Sequence, residues 1–250
     1  MSTAEALGTA AAAGGAKVEV EGASTPPSGP TLLLLARTLD YPGATTAAAR
    51  AELQRLLAAA RPAAARSLEA HREAVDVLSL HAQQELYAAT FDTNPSVCLY
   101  VGYHLFGDSY QRGAFMAHLN GTYGESGFET GQELPDHLSV VLRFLAHSEV
   151  LEEPAPGLEG GRDAWVAELI DEAIVPATRA IVRSFEGTEN PYAALLAAVL
   201  ETVRRPGDEG GGRNDRTRAR SLPVMQTHGP PETRPPGAAG GWIARRPEHM

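Results

Sequence analysis

The 250-residue sequence contains a single cysteine, Cys98, so no disulfide bond can form within the chain. Its apolar runs, such as residues 32–35, fall far short of the roughly 20 residues that a membrane-spanning helix needs. The N-terminal stretch lacks the basic region and the apolar core of a secretory signal peptide. These absences lead us to expect a cytoplasmic protein that does not insert into a membrane.

Sequence signatures of common catalytic sites are also missing. The chain has no phosphate-binding glycine loop of the Walker or dinucleotide type, no His-Glu-x-x-His zinc motif and no Gly-x-Ser-x-Gly nucleophile elbow. It has no cysteine pair for a zinc site, and its eight histidines are scattered. We therefore expect no enzymatic activity, no bound metal and no cofactor.

The composition favours helices over sheets. Alternating runs of Val, Ile and Thr are scarce, whereas alanine and leucine recur at helical spacing. We predict an all-α fold, with one helical domain over residues 31–205. Residues 1–30 and 206–250 are rich in glycine and proline and poor in large apolar side chains, so we expect disordered tails there.

Helical periodicity and its breaks predict seven to nine helices between the tails. Either Asp108 or Ser109 is a suitable cap for one helix, and Pro176 should kink another. Residues 152–161 read as a linker. The predicted helices cover residues 32–40, 46–60, 63–80, 81–91, 97–106, 110–123, 136–147, 162–185 and 191–204.

The charge of the chain argues against a nucleic-acid partner. The formal net charge is −10. Residues 82–190 contain 17 acidic residues and 5 arginines, which gives −12, whereas the chain after Arg205 contains 7 arginines and 5 acidic residues, which gives +2. An acidic body favours a basic partner, although acidic surfaces also simply keep proteins soluble.

A rigid joint is predicted where a glycine-rich stretch leads into an apolar helix. Residues 132–138 read Gln-Glu-Leu-Pro-Asp-His-Leu. Pro135 suits the first turn of a helix, while Glu133 and Asp136 place negative charge near its N-terminus. We expect Asp136 and His137 to be exposed polar groups with a functional role. The alternative is that Asp136 only caps the helix and His137 only packs.

Aromatic residues concentrate in the third of the chain before this joint. At helical spacing most aromatic side chains fill a core, but tyrosine also has a polar tip and suits a peptide-binding groove. Tyr103 and Tyr110 are the best candidates for such a groove, and Phe91 and Phe106 are expected in the core. Cys98 lies in an apolar run and is expected to fill space rather than act as a nucleophile.

Several motifs, taken in order, resemble a known family. Residues 85–92 read Glu-Leu-Tyr-Ala-Ala-Thr-Phe-Asp, residues 107–113 read Gly-Asp-Ser-Tyr-Gln-Arg-Gly, and residues 133–137 read Glu-Leu-Pro-Asp-His. With Val-Val-Leu-Arg-Phe-Leu-Ala at residues 140–146, they resemble the NarJ-type nitrate reductase molybdenum cofactor assembly chaperones. These chaperones belong to the TorD-like group of redox-enzyme maturation chaperones. The resemblance spans residues 31–205.

The resemblance implies a TorD-like helical fold and a chaperone function. Such a protein would bind the catalytic subunit of a respiratory nitrate reductase through that subunit's N-terminal segment and keep it open to the molybdenum cofactor. A basic amphipathic client helix would dock in an apolar groove with acidic edges. The implied client-binding residues are Tyr87, Tyr103, Asp108, Tyr110, Arg112, Glu133, Asp136 and His137.

Two alternatives remain at this stage. The client could be another molybdoenzyme, of the dimethyl sulfoxide or trimethylamine oxide reductase kind, which the neighbouring genes would reveal. The chain could instead be a helical nucleotide hydrolase that uses Asp136 and His137. The missing phosphate-binding loop argues against this second alternative.

Overall fold

The structure is a computed structural model, and it describes residues 26–93, 97–151 and 162–204. Of the tails expected to be disordered, residues 1–25 and 206–250 lie outside the described residues, as does the predicted linker at residues 152–161. Residues 26–30, which were also assigned to the N-terminal tail, are described, and Gly29 and Pro30 form the start of a helix, so that end of the tail was placed too late. Among the described residues no helix is both long enough and apolar enough to cross a bilayer.

The described ranges fold into α-helices joined by short turns, which confirms the all-α prediction. One long helix is interrupted by a π-helical turn at Ile170–Ile174. The helices are α1 Gly29–Leu39, α2 Thr46–Ala60, α3 Pro62–Val75, α4 Leu80–Phe91, α5 Val101–Phe106, α6 Tyr110–Glu125, α7 Leu138–Ser148, α8 Arg162–Leu169, the π-helical turn Ile170–Ile174, α9 Val175–Ser184 and α10 Tyr192–Val203.

Apolar faces of these helices meet in one continuous core. Helix α1 packs between α2 and α7, α3 packs between α2 and α10, and α9 contacts both α5 and α10. Helix α7 is buried on nearly every side, with Val140, Leu142 and Phe144 at most 1% exposed. A helix that is apolar all round belongs in the interior, and α7 occupies that position.

The interruption before α9 has a local cause. Pro176 has no N–H and so cannot donate to the carbonyl of Glu172 one turn earlier. The chain widens into the π-helical turn just before the proline, and the Val175 N–H bonds to the Ile170 carbonyl five residues back. The predicted irregularity is therefore present as a π-helical turn, a common way to absorb a break in the helical hydrogen-bond ladder.

The two largest errors in the predicted helix limits, of five and four residues, fall at the end of α3 and at the start of α5. The helix predicted over residues 63–80 stops at Val75, and the hydroxyl of Ser79 then caps α4 by accepting from the Ala82 N–H at 3.2 Å. The helix predicted over residues 97–106 starts only at Val101, since the preceding residues pair with the joint. Apolar composition alone cannot distinguish an extended buried segment from a buried helix.

A buried histidine links α3 to the start of α10. The ring of His71 is 1% exposed, and its Nδ1 lies 3.0 Å from the carbonyl oxygen of Pro191. Burial, together with the positive charge of Arg50, lowers the pKa of His71 to about 4, although the hydrogen bond to Pro191 and the charge of Asp76 oppose this shift. The neutral ring donates its Nδ1–H to that carbonyl.

We predict that acid weakens the fold through His71. Between its unfolded pKa near 6.5 and its folded pKa, only the unfolded chain binds the proton, so stability falls as pH falls. From pH 7 to pH 5 this histidine alone should remove about 2 kcal/mol. The measurement is urea unfolding at both pH values for the native chain and for His71→Gln, which keeps a donor but does not titrate. Equal pH dependence in the two proteins would contradict the prediction.

Candidate functional site

The joint begins where α7 begins. His137 occupies the N-cap position, and its Nδ1 accepts from the Ser139 N–H at 3.3 Å. Helix α7 starts at Leu138, two residues later than predicted, and the cap is His137 rather than Asp136. His137 is 6% exposed, and burial lowers its pKa despite the opposing charges of Glu133 and Asp40. The predicted exposure of His137 was therefore wrong.

An extended segment before α5 holds the joint in place. Tyr100 and His137 form a single antiparallel bridge pair. The Val101 N–H donates to the Asp136 carbonyl and the Leu138 N–H donates to the Leu99 carbonyl, both at 2.8 Å. These bonds satisfy buried backbone groups on both sides of the joint.

A buried ion pair fastens the joint to α6. The Arg112 Nε donates to Asp136 Oδ2 at 2.9 Å, and Nη2 lies 3.4 Å from Oδ1. Asp136 is completely buried, so the prediction that it would be exposed was wrong. A carboxylate can leave water only when a partner compensates its charge, and Arg112, 24 residues earlier in the chain, does so.

A missing side chain makes room for this pair. A Cβ atom placed on Gly102 of α5 would lie 2.8 Å from Asp136 Oδ2 and 3.1 Å from Arg112 Cγ. Any larger residue at position 102 would therefore force either the ion pair or α5 to shift. Glycine here is explained by close approach rather than by an unusual backbone angle.

Two tyrosines enclose the guanidinium of Arg112. Its central carbon lies 5.2 Å from the ring centroid of Tyr100 and 5.9 Å from that of Tyr103. Burial tends to lower the pKa of Arg112, but the hydrogen bond and charge of Asp136 outweigh it and hold the pKa above its usual value. The side chain thus stays charged and is positioned from both sides.

A second residue of α6, Tyr123, also holds the loop before α7. The hydroxyl of Tyr123, a buried residue, donates to the Pro135 carbonyl at 3.0 Å. Burial raises the pKa of this phenol, which keeps it protonated as a donor. The loop before α7 is therefore bonded to α6 at Pro135 and Asp136 and to the extended segment on either side.

Exposed or half-buried acidic, aromatic and apolar side chains lie in the joint and at the C-terminal ends of α1 and α4, and we call this set the joint patch: Asp40, Tyr41, Asp92, Glu133 and Leu134. Tyr41 is 56% exposed and Leu134 is 45% exposed. The ring of Tyr41 packs on that of Tyr87, with the ring centroids 5.4 Å apart. Burial raises the pKa of the Tyr87 hydroxyl, and the negative charges of Asp40, Glu133 and Asp92 raise it further.

Tyr87 itself belongs to the core, contrary to the prediction that it lines an open groove. It is 8% exposed, and its ring packs against Tyr41, Phe91 and Tyr192. Its place on the buried stripe of α4 explains this, because the same stripe carries Thr90 and Phe91. Phe91, expected in the core, is buried there.

The other predicted site residues lie around the start of α6. Tyr110 begins that helix and is 80% exposed, Asp108 is exposed in the preceding turn, and Tyr103 is half-buried against Arg112. The structure therefore brings Tyr103, Arg112, Asp136 and His137 together, with Glu133 beside them. Asp108 and Tyr110 stand on the adjoining surface.

Sequence reasoning missed Tyr41, Tyr100, Gly102 and Leu134 as parts of this region. Tyr41 follows the end of α1 and precedes Pro42, and an aromatic residue at a helix stop is a signal that could have been followed. Gly102 gave no signal, since its role depends on the contact with Asp136 and Arg112. Among the residues that the structure describes, no cluster of acidic, histidine or cysteine side chains could hold a metal ion.

Comparison with known proteins assigns this helical architecture to a family. The family described as nitrate reductase delta subunit matches residues 46–174, and the chain belongs to it. The match includes the joint, Arg112 and most of the joint patch.

Among named relatives, the chain is 32% identical over 124 residues to the probable nitrate reductase molybdenum cofactor assembly chaperone NarJ of Bacillus subtilis. That alignment covers 49% of this chain and 60% of the relative, so the chain spans less than two thirds of that protein. The nitrate reductase molybdenum cofactor assembly chaperone NarJ of Escherichia coli K12 is 27% identical over 175 residues, which is 68% of each chain.

A solved structure also aligns with the chain. It is a crystal structure from Archaeoglobus fulgidus described as that of a redox enzyme maturation protein. The TM-score is 0.43 at 19% identity, over 69% of this chain and 91% of that one.

We predict that the ion pair stabilises the fold. Asp136→Asn removes the charge that compensates Arg112 and should cost about 3 kcal/mol of unfolding free energy, since breaking a buried pair strands one partner. Asp108→Asn, the same change at an exposed position in the turn before α6, should stay within about 0.5 kcal/mol of the native chain. Urea unfolding measures both, and equal stability of the two variants would contradict this account.

Proposed function

We propose that this protein binds the catalytic subunit of a respiratory nitrate reductase, through the N-terminal segment of that subunit, and keeps it competent for molybdenum cofactor insertion. Membership of the nitrate reductase delta subunit family supports the choice of client system. The names of the Bacillus and Escherichia relatives, both molybdenum cofactor assembly chaperones, support the role in cofactor insertion.

The joint patch is the observation that carries the proposed binding mode. It offers exposed apolar area on Tyr41 and Leu134 and carboxylates on Asp92 and Glu133, and the joint that carries Glu133 and Leu134 is held by hydrogen bonds at Pro135 and Asp136. An amphipathic client segment would place its apolar face on Tyr41 and Leu134 and its basic residues near the carboxylates of the patch. Because the joint is already ordered, this protein would lose less conformational entropy when the client binds.

The predicted site residues divide into two roles in this proposal. Glu133, Tyr103, Asp108 and Tyr110 have exposed area and would face the client. Arg112, Asp136, His137 and Tyr87 would act from beneath, as positioning residues that hold the joint and the floor of the patch. Binding of moderate strength follows from a small, polar-edged patch, and it allows release of the client.

We predict that reversing charge at the patch weakens client binding while leaving the fold intact. Glu133→Lys combined with Leu134→Ala should weaken the affinity at least about tenfold, which is 1.4 kcal/mol. The probe is a synthetic peptide with the N-terminal sequence of the nitrate reductase catalytic subunit encoded by the same genome. Isothermal titration calorimetry measures its affinity, and melting temperature checks the fold.

Glu186→Lys is the matched control, because Glu186 is exposed in the turn between α9 and α10, outside the joint patch. It makes the same change of net charge and should leave peptide affinity nearly unchanged. If the control variant and the patch variant bind the peptide equally well, the joint patch is not the client site.

A further inference from the structure

A short loop between α6 and the joint is held in place by one side chain. Most of residues 127–131 are exposed, whereas Phe128 is half-buried and packs against the core. The Phe128 N–H donates to the Tyr123 carbonyl at 2.8 Å. Among the described residues, none outside this loop forms a hydrogen bond with residues 129–131. The loop is therefore anchored to the body of the protein through Phe128.

The ring of Phe128 fills a socket formed by three other rings. Its centroid lies 5.2 Å from that of Tyr123, 5.4 Å from that of Phe144 and 5.5 Å from that of His147. Tyr123 and Phe144 are each 1% exposed, so their rings are covered. The Nε2 of His147 donates to the Ser126 carbonyl at 3.0 Å, which holds that side of the socket. Withdrawal of Phe128 would uncover an aromatic surface on an otherwise intact body.

Two glycines bound the loop, and both have a left-handed backbone. The angle φ is +67° at Gly127 and +78° at Gly131. A Cβ atom at either position would meet nothing within 4 Å, so a lack of space does not require glycine there. The backbone angle does, because a residue with a side chain adopts it only at a steric cost. Rotation at these two residues can move residues 128–130 while Tyr123 still holds the Pro135 carbonyl.

We propose that residues 127–131 form a strap that opens by rotation at Gly127 and Gly131 and withdraws Phe128 from the aromatic socket. Opening breaks one backbone hydrogen bond and three ring contacts and leaves the helices in place, which is the pattern of a local opening. The open socket takes an aromatic side chain of the client segment, because it already accepts the ring of Phe128. This second step rests on the proposed function, whereas the opening of the strap does not.

Amide hydrogen exchange of the full chain, followed by NMR, tests the strap. Gly131→Ala strains the closed strap, which needs the positive φ, and leaves the open strap unstrained. The Phe128 amide, bonded to Tyr123 only when the strap is closed, should therefore exchange about tenfold faster than in the native chain, as the left-handed penalty of alanine implies. Gly131→Asn should exchange more nearly at the native rate, because asparagine tolerates this backbone angle better than alanine does.

Gly187→Ala is the matched control. Gly187 also has a φ of +78°, a Cβ atom there would also meet nothing within 4 Å, and it lies in the turn between α9 and α10. The variant introduces the same backbone strain away from the strap, so the Phe128 amide should exchange at the native rate. If this amide exchanges equally fast in Gly131→Ala and Gly187→Ala, it opens only when the whole fold opens, and the strap is wrong.

Calorimetry with the client peptide separates the two steps. Gly131→Ala should bind the peptide at least about threefold more tightly than the native chain, because a larger fraction of its molecules has an open socket. Gly187→Ala should bind it with native affinity. If the peptide binds none of the three proteins while the exchange difference is present, the proposed function fails and the strap stands. If the peptide binds all three equally well, Phe128 does not compete with the client and the second step is wrong.

Discussion

The ion pair between Arg112 and Asp136 is the interaction on which the rest of this region depends. It joins the middle of α6 to the loop that starts α7, and both charges lie largely out of water. The geometry allows two hydrogen bonds, and Tyr100 and Tyr103 enclose the cation. A pair of this kind constrains position more than it adds stability relative to an apolar core.

The position of the joint patch follows from that constraint. Glu133 and Leu134 precede Asp136 by only two or three residues, and Tyr123 holds Pro135 between them. The backbone bonds of Val101 and Leu138 fix the other side. The carboxylate of Glu133 is therefore presented by a loop whose next residues, Pro135 and Asp136, are held by hydrogen bonds. A chaperone can bind a mobile client segment more tightly if its own surface is already ordered.

Helices were predictable from the sequence because their apolar spacing is a local property. The limits of α2 and of α4 agree with prediction to within one residue. The start of α5 was not predictable, since it depends on pairing with a segment more than 30 residues away. The burial of Asp136 depends in the same way on Arg112, and a carboxylate before a helix reads as exposed until its partner is known.

The candidate site was predictable in its location and not in its roles. Arg112, Asp136 and His137, which the family resemblance grouped as client-binding residues, do lie close together in the structure. Because they are buried, these residues support the surface rather than form it. Tyr41 and Leu134 are exposed apolar residues, and the spacing of residues in the sequence did not predict their exposure. Tertiary contact decides which face of a joint meets water.

A double-mutant cycle on Arg112 and Asp136 tests the central claim most directly. The measured quantity is the free energy of unfolding of the native chain, Arg112→Leu, Asp136→Leu and the double variant, from urea titration. If the pair is the constraint described, each single change strands a buried charge, and the double variant should be more stable than the sum of the single losses predicts by about 2 kcal/mol or more. Losses that add to within about 0.5 kcal/mol would show that the two side chains are not coupled and would contradict the account.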